Sequence, residues 1–316
     1  MSVNSRSQAD PVPNIDAVRE VEVRSRGLVG RFFTPDGGLH PGALALSGSD
    51  GGCPVHIGRL LADEGFACLA LKYFRADGLP KHLVEIPLEY IETALGWLRE
   101  QSEINDSRVG VIGPSKGAEL ALLSAAYFPD AVRAVVAYAP SSVAFAGIGG
   151  AEGRRRSSWT YRAAPLPFVP YPVKIRPALG LRGVSFAPVY RAALENSAAV
   201  EEAGIPIERA NVPILLISGD RDRMWPSSTM AEQLVARLAD AGKADQISHL
   251  RFPDAGHSFM PWRPDIASER IGRIIDDVRL MGIGGFVDLG GRPRANRAAS
   301  HEAWPQVVRF LRSHVA

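Results

Sequence analysis

Five nearly continuous apolar runs constrain this chain more than any other feature: ALALSG (43–48), FACLALKYF (66–74), RVGVIG (108–113), VRAVVAYAP (132–140) and VPILLISGD (212–220). Runs of this length, rich in Val, Ile, Leu and Ala and without alternation, suit parallel strands buried on both faces. Amphipathic stretches separate them: HIGRLLADEG, EIPLEYIETALGWLREQ from Glu85, KGAELALLSAAYF from Lys116 and STMAEQLVARLADAG. Strand–helix alternation implies right-handed crossovers over a mainly parallel sheet. Ahead of it, REVEVRSRGLVGRFFTP alternates polar and apolar residues around Gly27, the pattern of two antiparallel strands at a sheet edge. After the fifth run, ISHLRFPDAGH reads as a further strand and EAWPQVVRFLRSH as a closing helix.

The rhythm breaks between residues 141 and 210, where GIGGAEGRRRSSWTYRAAPLPFVPYP is rich in Gly, Arg, Pro and aromatics. We expect a lid or cap insertion there, within a core formed by 18–140 and 211–316, and a flexible N-terminal segment over 1–17. The Gly-rich GIGGFVDLGG (282–291) neither follows a clear buried strand nor opens a helix, so it reads as a loop with turns, not a dinucleotide fingerprint.

Composition excludes more than it identifies. The 36 basic and 34 acidic residues leave a net charge of +2, so no global field argues for nucleic acid. No signal-peptide pattern opens the chain and no window of about 18 apolar residues suggests a membrane span. These readings point to a cytoplasmic protein without stable membrane insertion. Two cysteines, Cys53 and Cys68, build neither a disulfide framework nor a cysteine-rich metal site.

The chemistry is concentrated in RVGVIGPSKGAELAL, where Gly113, Ser115 and Gly117 form GxSxG between a hydrophobic strand and a helix. That context is what a nucleophile elbow requires: a serine on a tight strand-to-helix turn, with small residues two before and two after it. A helix N-terminus beneath the serine offers unpaired N–H groups for an oxyanion, and the N–H of Lys116 is one expected donor. GxSxG alone is a weak pattern, since serine caps helices freely. Further along, VPILLISG runs into Asp220, Arg221 and Asp222, and ISHLRFPDAG runs into His257. Ser, then Asp, then His is the chain order of the α/β-hydrolase fold.

A serine hydroxyl needs an imidazole to take its proton during attack, and a carboxylate on the other ring nitrogen fixes the tautomer. His257 and Asp222 are assigned these roles. Asp222 lies three residues beyond Gly219, where the chain has left the strand; Asp220 and Asp254 are the lesser candidates. A second oxyanion donor is expected from the glycine-rich loop SGSDGG (47–52), namely the N–H of Ser49, with Asp50 behind it as a substrate-binding candidate. In the insertion, Trp159, Tyr161, Leu166, Phe168, Val169 and Tyr171 form an apolar set suited to wall an acyl chain, although a packed core would use the same residues. Trp225, in the acid loop, joins them as a substrate-binding candidate. Arg154, Arg155 and Arg156 read as a solvated charge run, with phosphate contact as the alternative. Lys116 and Glu119 read as a salt bridge on the helix surface.

Several of these segments together resemble the acyl-CoA thioesterase and bile acid-CoA:amino acid N-acyltransferase family. The elbow GPSKGAEL, the SGSDGG loop, LALKYFRADGLPK, SGDRDRMWPSS, FPDAGHSF and GGRPRANRAASHEAWPQVVRFL carry the similarity. The resemblance implies an α/β-hydrolase fold in the dienelactone hydrolase-like superfamily: a mostly parallel central sheet flanked by helices, with a lid-like insertion. It places nucleophile, acid and base at Ser115, Asp222 and His257. Larger members carry an N-terminal β-sandwich domain that the roughly 40 residues before the first matched loop are too few to form. Conjugating members use a cysteine nucleophile; serine here implies water as the acyl acceptor. The implied activity is hydrolysis of a small-molecule acyl thioester through an acyl-serine, with no metal or organic cofactor. A carboxylester or dienelactone-type hydrolase, or an acyltransferase or cyclase, is the alternative. Oligomeric state is not legible.

Overall fold

The computed structural model describes residues 18–105, 109–150, 152–180, 182–260 and 287–315. The expected flexible segment 1–17 and the first half of the Gly-rich loop lie outside the described residues. Eight strands form one sheet: β1 (Val18–Val23), β2 (Val29–Pro35), β3 (Gly42–Leu46), β4 (Ala67–Lys72), β5 (Val109–Pro114), β6 (Val132–Tyr138), β7 (Ile214–Gly219) and β8 (Ile247–Phe252). Their spatial order is β1-β2-β4-β3-β5-β6-β7-β8. β1 pairs antiparallel with β2, and β2 antiparallel with β4; every other pairing is parallel. The edge hairpin and parallel core are therefore those expected, and each apolar run became a strand.

Helices α1 (Val55–Asp63), α2 (Leu88–Arg99), α3 (Lys116–Tyr127), α4 (Ala187–Leu194), α5 (Ser197–Glu202), α6 (Ser227–Asp240) and α7 (Pro293–Val315) complete the architecture. Alternate residues along the strands divide the core. Leu44, Leu69, Val111, Val135 and Leu216 pack under α2, α3 and α6. Ala43, Cys68, Ile112, Val136 and Leu215 pack under α1 and α7. This period of two, with apolar residues on both faces, is why the strands show no alternation in sequence. α3 is buried along almost its whole length, consistent with its run of Ala and Leu. α7 begins about nine residues before the closing helix read from sequence. Pro293 sits at its first turn, where a missing N–H costs nothing, but the following RANRAAS has no apolar stripe to announce a helix.

Between β6 and β7 the chain folds short strands at Trp159–Tyr161 and Ala164–Pro165, a hairpin of Ala178–Gly180 with Gly183–Ser185, and helices α4 and α5. This insertion has a core of its own, in which Val143, Phe145, Val169, Phe186 and Tyr190 pack with Trp225 and Met230 from the β7–α6 side. Parallel topology sends every strand from β5 to β8 out at the same edge of the sheet, and Ser115, Asp222 and His257 follow β5, β7 and β8. No helix among the described residues is long and apolar enough to cross a membrane.

Candidate active site

Ser115 has φ 55° and ψ −122°, a conformation that costs a non-glycine residue about 1–3 kcal/mol and persists only where its surroundings impose it. Here they do. Its N–H donates to Tyr138 O of β6 (2.8 Å), and its carbonyl accepts from Ala118 N (2.9 Å) and Glu119 N (3.1 Å) in α3. A methyl group at Gly113 would lie 2.4 Å from Gly117 O, and one at Gly117 would lie 2.3 Å from Ser47 O. Only glycine at both positions lets β5, α3 and the end of β3 close to this distance. The GxSxG spacing is therefore a packing requirement as well as a motif.

Beside the elbow runs the loop Ser47–Gly52. Tyr73 Oη donates to Ser47 O (2.8 Å) and Arg75 Nη1 to Asp50 O (3.1 Å), so the segment after β4 holds the loop in place. A methyl at Gly48 would sit 3.6 Å from Ser115 Cβ, which measures how closely the loop approaches the nucleophile. Among the described residues, neither the Lys116 N–H nor the Ser49 N–H meets an acceptor. Ser49, Ser115 and Lys116 line one cavity of about 660 Å³.

Asp222 and His257, the acid and base candidates, form one buried unit. His257 Nδ1 lies 2.8 Å from Asp222 Oδ2. The same carboxylate accepts from Ser227 Oγ (2.7 Å), Met224 N (2.8 Å) and Trp225 N (3.1 Å). A carboxylate only accepts, so in a pairing of ionised Asp222 with a neutral ring Nδ1 is the donor and Nε2 the free acceptor. The alternatives are engaged elsewhere: Asp220 with Arg251 and Ser228, Asp254 with Arg221. The Trp225 indole meets the His257 ring edge-on at 5.6 Å and donates to Ala139 O (3.2 Å). Ala139 directly follows the residue that binds the Ser115 N–H, so one indole links the His257 ring to the turn beside Ser115.

Sequence reading missed what brings the acid and base loops together. His257 N donates to Leu289 O (2.7 Å), Asp222 bridges Gly290, and a methyl at Gly290 would fall 1.8 Å from Arg221 O. Gly290 also has φ +78°. Asp288, buried, pairs with Arg223 (2.9 Å). The segment taken as a plain loop with turns is thus the clamp across both catalytic-candidate loops; its adjacent glycines were the available signal.

The predicted acyl wall needs correction. Trp159 is completely buried, its indole N–H bound to Glu119 Oε1 at 2.6 Å, and it does not face the cavity. Tyr161 packs edge-on against Tyr127 and Phe128. Phe168 is half-buried, and neither it nor Asp50 lines the cavity beside Ser115. Trp225 is buried against Phe145, Tyr190 and His257 and does not line the cavity. Trp159 and Tyr161 went to packing against α3 and its C-terminal end. Of the expected set Tyr171 does line the cavity, and Ile148, Val184, Phe186, Tyr190 and Met224 are the further walls. Of the three consecutive arginines, Arg154 reaches the cavity, while Arg155 lies near Glu152 and Arg156 pairs with Glu85. Lys116 and Glu119 do pair, at 2.6 Å, but in the core and not on a helix surface: they are 1% and 0% exposed. Among the described residues, no group of three or more His, Cys, Asp or Glu is placed to hold a metal ion.

The family follows from comparison with known proteins. The profile described as BAAT / Acyl-CoA thioester hydrolase C terminal matches residues 86–316. The chain belongs to this family. Mouse acyl-coenzyme A thioesterase 2, mitochondrial, is 30% identical over 296 residues, covering 93% of this chain and 60% of the relative. Human acyl-coenzyme A thioesterase 1 is 30% identical over 304 residues, covering 94% of this chain and 66% of the relative. The chain thus spans about three-fifths to two-thirds of the length of these relatives. Among solved structures, a Pyrobaculum calidifontis esterase aligns with a TM-score of 0.56 at 18% identity, covering 96% of this chain and 87% of its own. A putative dienelactone hydrolase from Klebsiella pneumoniae aligns with a TM-score of 0.53 at 14% identity, covering 94% and 99%. At these identities the structural likeness establishes the α/β-hydrolase fold, as expected.

Proposed function

We propose that this family member is a serine hydrolase of acyl thioesters, with Ser115 as nucleophile, His257 as general base and Asp222 as the carboxylate that orients it. The observation that carries this reading is the 2.8 Å contact between His257 Nδ1 and Asp222 Oδ2 in chain order behind a strained elbow serine. The thioester substrate class rests on the relatives' activity. Ser115 Oγ attacks the thioester carbonyl as His257 Nε2 takes its proton. The N–H groups of Lys116 and Ser49 receive the oxyanion. Collapse expels the thiol, protonated by His257, and leaves an acyl-serine. His257 then deprotonates water, which releases the acid and regenerates Ser115. In this reading the insertion acts as a cap over the acyl group, whose place is the cavity between Ile148, Phe186 and Met224.

Steady-state kcat/KM on an acyl-CoA series and on oxygen esters of the same acyl groups tests the proposal. Higher values for the thioesters, with the free acid as product even when amino acids are supplied, are expected. A large preference for the oxygen esters would assign carboxylester hydrolysis instead, and an amide product would assign acyl transfer.

A further inference from the structure

A charged pair is buried directly beneath the nucleophile, and the mechanism above uses neither side chain. Lys116 Nζ lies 2.6 Å from Glu119 Oε1, one turn along α3, and 5.1 Å over the ring of Trp159. The same carboxylate oxygen accepts from Trp159 Nε1 (2.6 Å) and from Phe145 N (3.2 Å), both in the insertion. Its second oxygen, Oε2, is buried with no partner among the described residues. Burial pushes the Glu119 carboxyl up and the Lys116 ammonium down, each opposed by the other's charge. Such a pair is a poor device for stability, because apolar residues of the same volume often serve as well or better. Stability is therefore not a sufficient account of it.

Connectivity supplies one. Lys116 is the residue whose backbone N–H is the first oxyanion donor, and its ammonium is tied to Glu119, hence to Trp159. Trp159 also packs against Tyr73, with ring centroids 6.0 Å apart. Tyr73 in turn holds Ser47 O and Gly48 O, at 2.8 and 3.4 Å, in the loop that carries the Ser49 donor. One buried tryptophan of the insertion is therefore connected to both donor segments, through its N–H to Glu119 and through its tilted ring contact with Tyr73.

We infer that Glu119, Lys116 and Trp159 are positioning residues that hold the two oxyanion donors at the distance the tetrahedral intermediate requires and make that distance depend on the insertion's seating. The inference rests on the serine-hydrolase reading. Oxyanion donors act only when aimed in advance at the developing charge, so slack of a fraction of an ångström is felt in the transition state and hardly at all in substrate binding.

The decisive variant is Lys116→Met combined with Glu119→Gln, which removes both charges and leaves a carbonyl oxygen to accept from Trp159 and Phe145. A single change would strand a buried charge and risk the fold; the double change does not. Wild type and variant are compared by unfolding midpoint, by Ser115 labelling with a fluorophosphonate, by kcat and KM on a thioester, and by affinity for an alkyl boronic acid that mimics the tetrahedral state. We expect a folded variant with KM within about threefold of wild type, kcat lower by about 10- to 100-fold, and boronate affinity lower by a similar factor. Trp159→Phe, which keeps the ring and removes the N–H, should shift kcat and boronate affinity in the same direction. A folded variant with unchanged kcat and boronate affinity overturns the inference; so does a loss confined to the unfolding midpoint. If wild type neither labels at Ser115 nor turns over any ester, the serine-hydrolase reading itself has failed.

Discussion

Replacing Ser115 with alanine is expected to leave the fold intact and to lower kcat by roughly 10⁴- to 10⁶-fold. Alanine keeps the Cβ and so inherits the same backbone conformation, and the bonds that impose it all come from main chain: Ser115 N to Tyr138 O, and Ala118 N and Glu119 N to Ser115 O. The unfolding midpoint should therefore be close to that of wild type. Without the hydroxyl no acyl-enzyme forms, and what remains is direct attack by water in a cavity that still presents two N–H donors. Because nucleophile and base act as one unit, adding His257→Ala to Ser115→Ala should cost little more, within about threefold of the single variant. Active-site-titrated steady-state rates with circular dichroism on the same samples measure both. A Ser115→Ala enzyme retaining a tenth or more of wild-type turnover would remove the serine from the mechanism.

Gly117→Ala should be the most damaging single methyl group in the chain's elbow. It would enter 2.3 Å from Ser47 O and 3.0 Å from Ser47 C, both backbone atoms, in a loop already held by Tyr73. Neither side yields by a rotamer change, so α3 and the end of β3 must move apart. We expect a loss of about 3 kcal/mol, read as a fall in unfolding midpoint of roughly 5–10 °C. Activity should fall with it, since the displaced segment carries Ser49. Gly96 is the internal comparison: it lies within α2 with nothing within 4 Å of a built Cβ. Gly96→Ala there should stabilise by about 0.5–1 kcal/mol through helix propensity and a smaller unfolded-state entropy. Differential scanning calorimetry of the two variants separates local crowding from a general intolerance of substitution, and a Gly117→Ala protein as stable as wild type would contradict the packing described at the elbow.

The sequence displays the sheet and the three chemical side chains for the same physical reason. Strands buried on both faces must be apolar throughout, and the residues that leave their carboxyl ends must turn, so Ser115, Asp222 and His257 stand out where apolar runs stop. Asp222 was preferred over Asp220 by distance from the strand end, and the structure pairs it with His257 while Arg251 takes Asp220. What could not be read depends on contacts between distant segments. Trp159 and Tyr161 look like an acyl wall because prolines and aromatics in an aperiodic stretch carry no signal of which face is inward; Trp159 turned out to bind Glu119. At Leu289 and Gly290 the adjacent glycines signal a tight turn but not its partners, because the two loops it fits between lie more than thirty residues upstream. Lys116 and Glu119 have a spacing equally suited to a solvated helix face and a buried tie, and only the burial of α3 on all sides decides between them.

If Ser115 is the nucleophile, it carries the acyl group during turnover. Rapid acid quench during the reaction with an acyl-CoA substrate, followed by intact mass and peptide mapping, measures this directly. The expected result is a mass increase equal to one acyl group, located on the peptide containing Ser115 and absent from Ser115→Ala. Turnover without any adduct on that peptide, or an adduct that persists in Ser115→Ala, would contradict it.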